Sequence, residues 1–460
     1  MHYFLKYIHM YRSVRFHISR YRYPALSDYC SAMCMKSKNL RNAVLFRLRQ
    51  WFTLQGSDSL QPLQEEVFNE VMLTCRKSGK PVPGKVISYA FMDRLLRVNK
   101  NPDYFSGLPI QSAQAIARET VNEFENWLKA LAAYRRDPSL FTGKPKMPKY
   151  TKAEERMITM TNQDCTVYGK YLKLPKTKER PAVMIPEGTV LKEVKIRPYY
   201  GEYEMILVCE QETETEEVLR PYVGGIDFGV DNIIAFVCND GLRPVLYKGG
   251  AVKAKNQSYN KAKAEYTGIL MKGHDPKEVN VHTERMKNLG RKRDAFMRDE
   301  MHRISTHLIR ECERRNIGTI VIGKNDQWKT NAGMSKKSNQ TFVQIPHSIL
   351  AEMIRYKAEC KGISVIEQEE SYTSRASFID HDEIPVYGDG KEHEFSGKRI
   401  SRGLYRTKDG TVINADINGS ANIIRKAIPE AFEGMTDFAF LQSAETVGFR
   451  DLHPLKAKQM

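Results

Sequence analysis

Nowhere in its 460 residues does this sequence hold the ~20 consecutive apolar residues that a membrane helix requires, so no membrane partner is expected. Its start, Met1-His2-Tyr3-Phe4-Leu5-Lys6, has no apolar segment followed by a small-residue cleavage site, and no secretory signal is expected. Cysteine is sparse and scattered: Cys30, Cys34, Cys75, Cys165, Cys209, Cys238, Cys312 and Cys360. Only Cys30 and Cys34 lie close together, whereas a zinc ribbon draws two such pairs into one tetrahedral site. Reduced, buried thiols and no structural zinc are the expectation. The sequence also lacks a GxxxxGK(S/T) phosphate loop, an HExxH helix and any Ser/His/Asp arrangement with hydrolase-like spacing. Internal repeats and long low-complexity tracts are missing too.

Positive charge is plentiful. Lysine and arginine number 72 against 55 acidic residues, a net charge of +17 with histidine neutral. The cations are spread along the chain, so several surfaces should meet phosphate, and release of condensed counterions would favour a polyanion partner. Hydrophobic residues at 41% are enough to bury real cores, and the length suggests two to four domains.

The first 25 residues mix aromatics, arginines and β-branched residues, with Val14, Phe16 and Ile18 alternating with Arg15, His17 and Ser19, the period of a strand. From about Ser27 to Tyr134 the period becomes helical: Leu40, Val44, Leu48 and Trp51, then Ala117, Val121, Phe124, Leu128 and Leu131. A proline-broken basic linker, 141–150, leads into short strands. Among these Val194–Arg197, a turn at Tyr200-Gly-Glu and Met205–Cys209 read as a small antiparallel barrel or sheet. Beyond Tyr222 come strands at 223–229, 233–237 and 244–247, helices at 251–270 and 283–315, a strand at 317–323, a helix from Pro346, a strand at 363–366 and a last helix near 421–426. That βββαβαβ order ending in a helix matches an RNase H-like succession. Met297, Met301, Ile304 and Leu308 form an apolar stripe that reads as core.

RNase H-like nucleases gather acidic groups around two divalent metals, for which magnesium is suited. Asp227 ends the first strand, in Gly-Ile-Asp-Phe-Gly, where a charge is costly unless paired; it is a metal ligand or a helix cap. Asp416, in Asn414-Ala-Asp-Ile-Asn-Gly, stands near the start of the last helix and is a second ligand or an N-cap.

Gly-Ile-Asp227-Phe-Gly-Val-Asp-Asn, Tyr372-Thr-Ser, Phe395-Ser-Gly-Lys-Arg-Ile, Arg402-Gly-Leu-Tyr and Asn414-Ala-Asp-Ile-Asn-Gly-Ser-Ala-Asn-Ile together resemble the TnpB (OrfB) proteins of bacterial insertion sequences, relatives of the compact type V CRISPR effectors. Ser37-Lys-Asn-Leu-Arg-Asn42 and Gly143–Tyr150 resemble the amino-terminal half of the same family. The resemblance implies an α/β protein: an RNase H-like (RuvC-type) nuclease domain preceded by a helical recognition domain inserted in a small β-barrel wedge domain. The expected boundaries are wedge 1–26 and 141–220, recognition 27–140, nuclease 221–371 and 413–430, a cysteine-free insertion 372–412 in place of the zinc ribbon, and a C-terminal tail 431–460. It also implies an RNA-guided endonuclease of the bacterial cytoplasm, most simply a monomer, that takes guide RNA and double-stranded DNA as partners and two magnesium ions as cofactors. A guided binder that no longer cuts, and a transposase acting directly on DNA ends, are the alternatives.

Two departures stand out. The fourth strand of many family members ends in a catalytic glutamate, whereas here Ile320-Val-Ile-Gly-Lys-Asn325 places Gly323 there. The four-cysteine ribbon is also absent, so residues 378–406 must be held by packing and hydrogen bonds. Ile366-Glu-Gln-Glu-Glu370 offers a substitute. The fifth strand should lie beside the fourth, about 4.8 Å away, and a glutamate can span most of that gap if glycine leaves its path open. Some relatives sharing this pattern look to have moved the acid in this way. Glu370 is the first choice and Glu369 the second, because alternation sends neighbours to opposite faces. Lys38, Lys144, Lys146, Lys149, Lys398, Arg399, Arg402 and Arg406 are candidate nucleic-acid contacts, with Tyr199 and Tyr200 as stacking candidates.

Overall fold

A computed structural model describes residues 6–56, 59–215, 220–275, 279–324, 344–386 and 393–454. The described residues form two compact units, one from His9 to Glu212 and one from Thr213 onward together with residues 6–8. Asn325 of the Gly-Lys-Asn motif, residues 1–5 and residues 455–460 lie outside the described residues.

The first unit holds most of strand β1 (Lys6–Ile18), followed by helices α1 (Pro24–Leu54), α2 (Pro62–Ser78), α3 (Tyr89–Val98) and α4 (Ile110–Arg136). The stripe Leu40, Val44, Leu48 and Trp51 on α1 is buried, as are Ala117, Val121 and Phe124 on α4, so the helical period does mark the packed faces. Strands β2 (Ile158–Thr161), β3 (Thr166–Tyr168), β4 (Tyr171–Lys173), β5 (Val190–Tyr199) and β6 (Glu202–Thr215) complete the unit. Tyr200 and Gly201, with φ of 51° and 76°, make the tight β5–β6 turn, whose two left-handed residues match the twist of the strands. The barrel expectation is corrected here. The sheet has the open order β1-β6-β5-β2, β3 and β4 form a separate hairpin, and no sheet closes among the described residues. Closure needs the two outer strands to pair, and β2, four residues long, pairs only with β5.

The second unit is built on a six-stranded mixed sheet. It contains β7 (Tyr222–Phe228), β8 (Asn232–Cys238), β9 (Val245–Lys248), β10 (Ile317–Lys324), β11 (Ser364–Glu369) and, near the end of the chain, β15 (Glu445–Val447), in the order β11-β10-β7-β8-β9-β15. β7, β8 and β9 run antiparallel, while β10 lies parallel to both β7 and β11. Every residue of β8 is buried. Ile234, Phe236 and Cys238 join one core with α6 (Glu284–Arg314) and α7 (His347–Glu359), while Ala235 and Val237 join another with α8 (Ala415–Ala427). A strand covered on both faces reads as a continuous apolar run, as this one does. Between β9 and α6 lies α5 (Gly250–Met271). The methionine stripe of α6 is core, as its spacing predicts. Gly225 lets α8 approach β7 closely: a Cβ there would lie 2.5 Å from the Ser420 carbonyl oxygen, and Ser420 Oγ donates to the Gly225 carbonyl at 2.8 Å.

The segment expected as a C-terminal tail, 431–460, carries regular structure among its described residues. Glu445–Val447 forms β15, parallel to β9, and a short helix α9 (Phe449–Leu452) precedes His453, whose Nε2 lies 2.8 Å from the buried carboxylate of Glu300. The cysteine-free insertion carries a three-stranded antiparallel sheet, β12 (Lys398–Ser401), β13 (Leu404–Arg406) and β14 (Val412–Asn414). It is tied to α8 by two buried asparagines. Asn418 Oδ1 accepts from Phe378 N at 3.0 Å while its Nδ2 donates to the Ala376 carbonyl at 2.8 Å. Asn422 Nδ2 donates to the carbonyls of Thr373 and Ala376 at 2.9 and 2.7 Å. Within the insertion, Asp382 accepts from the amides of Ser377 and Ser396, and Tyr405 Oη donates to the Arg375 carbonyl.

Candidate functional site

Asp227 is the penultimate residue of β7, paired with Ala235 of β8. On its other side β10 sets Ile322 opposite Ile226, which brings Gly323 level with the end of β7. Glu370 follows β11 directly and its N–H donates to the Lys324 carbonyl at 3.3 Å. Asp416 is the second residue of α8. Strand ends and a helix start thus gather three carboxylates distant in sequence.

Two glycines hollow out the space they use. A Cβ on Gly323 would lie 2.9 Å from Glu370 Oε2, so the carboxylate occupies the volume that a fourth-strand side chain would fill. A Cβ on Gly419 would lie 2.8 Å from Asp227 Oδ2. Burial, then the negative charges of Glu370 and Asp416, push the pKa of Asp227 well above the ordinary carboxylate range, while the Arg399 guanidinium works against them. His347 stacks on Phe228 beside it, with ring centroids 5.6 Å apart. Among the described residues no three His, Cys, Asp or Glu side chains converge into a ready-made metal-ligand set. The three carboxylates share an electrostatic field without forming a closed shell.

The capping alternatives are resolved by geometry. Asp227 lies inside a strand, and the N-cap of α8 is Asn414, whose side chain accepts from Asp416 N and Ile417 N at 2.9 and 3.3 Å. Asp416 itself receives a hydrogen bond at Oδ2 from Asn232 Nδ2 at 2.8 Å, and Arg399 Nη2 stands 3.6 Å from its Oδ1. Glu369 is engaged elsewhere. Ser371 N donates to its Oε1 at 2.6 Å and Lys426 Nζ pairs with its Oε2 at 2.9 Å; although burial acts the other way, these partners hold its pKa down.

Of the cationic candidates, Lys398 and Arg399 lie on β12 and Arg406 stands opposite Lys398 on β13. Arg402 pairs with Asp231 at 3.0 Å. In the first unit, Lys144, Lys146 and Lys149 are exposed on an extended strap whose main chain is held from α1 and α4. Trp127 Nε1 donates to the Pro145 carbonyl at 3.2 Å, Arg49 to that of Pro148 at 3.3 Å and Arg41 to that of Lys149 at 3.1 Å. Asn42 and Thr151 bond reciprocally, and Ser37 Oγ donates to the Met157 carbonyl. The segments 37–42 and 143–150, singled out together in the sequence, therefore meet in space, with Lys38 half-buried on the same helix. Tyr199 and Tyr200 are half-buried with ring centroids 4.9 Å apart. Asn232 and Gly419 were given no role by the sequence reading, although both sit inside motifs it used. A polar residue opening the buried run of β8 was the available signal for Asn232.

Residues 206–329 match the OrfB_IS605 family model, described as a probable transposase, and residues 347–423 match the TNB-domain model of Cas12f1-like proteins. A TnpB-like protein, ORF457, of Acidianus two-tailed virus is 25% identical over 227 residues, which is 48% of this chain and 46% of that protein, so the chain spans about half the length of this curated relative. Among solved structures, a Cas12f1–sgRNA–target DNA complex aligns with 12% identity and a TM-score of 0.47, covering 88% of this chain and 84% of that one. The mini-RNA-guided endonuclease CRISPR-Cas_phi3 aligns with 11% identity and a TM-score of 0.37, covering 95% and 93%. The two matches lie side by side in the second unit and point to the same class, TnpB-like proteins related to the compact type V effectors. Over these stretches the chain is similar to TnpB proteins.

Proposed function

We propose that this protein is an RNA-guided endonuclease that binds a guide RNA and cleaves complementary double-stranded DNA beside a short flanking motif. The observation that carries the reading is the approach of Glu370 through the space above Gly323 into the field of Asp227 and Asp416. The strand order β11-β10-β7-β8-β9 with α8 packed on β7 supports an RNase H-like, RuvC-type nuclease unit. Guide pairing would read the target sequence while protein surfaces read the flanking motif. The cytoplasm, and action as a monomer, complete the proposal.

The residues fit divalent cations in charge and in space. Two glycine cradles receive carboxylates, and Asp227 resists ionisation beside two other acids, a cost that a dication removes. Asp227, Glu370 and Asp416 would hold magnesium, which as a pair of ions would supply an activated water and neutralise the leaving 3′ oxygen. Because the acids do not converge into a ready-made set, Glu370 would close on the other two through its side-chain torsions. Lys398, Arg399 and Arg406 would draw the scissile strand toward the acids by charge, and the lysines of the 143–150 strap would bind guide phosphates.

A guided binder that does not cut is the second reading, favoured by Gly323 at the customary place of the acid and by the open arrangement of the carboxylates. The family description as a probable transposase motivates a third, direct action on DNA ends. The deciding experiment purifies the protein with RNA from its own locus and incubates it with matching plasmid and magnesium, comparing wild type with Glu370→Ala. Cutting lost in the variant supports the proposal. Cutting that survives moves the third ligand elsewhere, binding without cutting by wild type establishes the second reading, and guide-independent strand transfer establishes the third.

A further inference from the structure

Asn232 opens β8 and is 6% exposed, which makes it one of few buried polar side chains in the sheet. Its carboxamide spans two charged groups. Lys248 Nζ, at the end of β9, donates to Asn232 Oδ1 at 2.9 Å, and Asn232 Nδ2 donates to Asp416 Oδ2 at 2.8 Å. The amide orientation is fixed by chemistry, because an ammonium group can only donate and must therefore face the oxygen end. The nitrogen end is then committed to Asp416.

We propose that Asn232 is a positioning residue for Asp416: locked by Lys248, its amide holds Oδ2 of the carboxylate and leaves Oδ1, which stands 3.6 Å from Arg399 Nη2, to a bound cation. This rests on the metal-dependent nuclease reading above. Asp416 is thereby fixed at two points, by Asn414 at its backbone N–H and by Asn232 at its side chain. The neutral link matters. A lysine in place of Asn232 would set a second cation against Asp416 beside Arg399 and compete with a metal, whereas an amide polarised from behind by Lys248 delivers a strong hydrogen bond without bringing a full charge. Partners of this kind, one step removed from the ion, orient its ligands and tune affinity.

The test uses the full-length chain and three substitutions: Asn232→Ala removes the link, Lys248→Met frees the amide to rotate, and Glu370→Ala serves as a reference. Manganese affinity is measured by calorimetry, melting temperature in EDTA reports the fold, and the RNA complex gives the half-saturating magnesium concentration and the cleavage rate at saturation. Asn232→Ala is expected to weaken manganese binding by about 10–100-fold and to raise half-saturation in parallel, with the saturated rate within a few-fold of wild type. Lys248→Met should shift both in the same direction by a smaller factor. Wild-type manganese affinity in Asn232→Ala, or a lower saturated rate at unchanged affinity, overturns the proposal. If Asn232→Ala does not fold, Lys248→Met decides alone: unchanged affinity and half-saturation overturn it. A wild type that binds no manganese overturns the nuclease reading together with this one, so the two failures are distinguishable.

Discussion

An alanine at position 323 would place its Cβ 2.6 Å from Ile423 Cδ1, 2.9 Å from Glu370 Oε2 and 3.3 Å from the Ile226 carbonyl oxygen. The first contact is with the tip of a packed side chain, and overfilling a core in this way costs about 1–3 kcal/mol. Reduced freedom of the unfolded chain returns up to about 1 kcal/mol, so the net destabilisation is about 1–2 kcal/mol. The second contact bears on chemistry, since the Glu370 carboxylate must retreat by about half an ångström to reach ordinary van der Waals distance. Displacements approaching 1 Å cost up to ~100-fold in rate, and a loss of about 10–100-fold in cleavage is expected for Gly323→Ala. Single-turnover plasmid cleavage by the RNA complex measures it, with target binding as the control that should not change. Ile423→Val removes the clashing Cδ1, so Gly323→Ala/Ile423→Val should regain stability relative to Ile423→Val and still cut slowly. Wild-type cleavage in the single variant, or recovery of both properties in the double, would refute the reasoning.

Gly419→Ala is expected to act on Asp227 as Gly323→Ala acts on Glu370, with cleavage falling at least tenfold; a wild-type rate would show that the cradle is dispensable. Burial pushes His347 down to about 4. From its ordinary pKa near 6.5 down to that value, the unfolded chain takes up a proton that the folded one refuses, so stability falls as pH is lowered through this window, by up to about 3 kcal/mol. His347→Gln should flatten that limb in pH-dependent denaturant melts, and an unchanged slope would count against the assignment. Of the eight cysteines only Cys75 and Cys360 are partly exposed. Burial raises Cys30 and Cys165 to about 12, so a thiol reagent should modify two cysteines quickly and the others only after denaturation; more than two fast sites would contradict the packing. Asn422→Ala removes the side-chain donor to the Thr373 carbonyl and leaves the Ala376 carbonyl with Asn418 alone, and should cost about 1–3 kcal/mol, visible as protease sensitivity in the insertion.

Much of this architecture could be read from period and spacing because burial on both faces leaves a plain record. The run Ile233–Val237 is apolar because α6 and α7 cover one side of β8 and α8 the other. Asp227 stood out as a charge ending such a run, and Gly323 as a gap beside Glu370. What stayed hidden depends on distant geometry. Whether β1 and β2 meet across a sheet is a matter of strand length and twist, which alternation does not encode. β15 is three residues long, too short to carry a period. Gly419 reads as an ordinary small helical residue until Asp227 is seen lying against it. The asparagines at 418 and 422 read as weak helix formers, and their use as clamps appears only when the chain at 373–378 is brought beside them.

If the proposed metal site holds, those clamps separate ion binding from scaffolding. Asn418, Asn422 and Asp416 share α8, so the element that anchors the insertion also carries one of the acids. An insertion fastened by carboxamides has no thiolate to oxidise and no cysteine-held ion to lose. Chelation would therefore act as a reversible brake, withdrawing ions from the acids while the arginine-bearing hairpin beside them stays assembled. On the proposed nuclease reading, restoring magnesium should restart cutting without refolding, and oxidants that dismantle thiolate-held ribbons should leave this protein's hairpin in place.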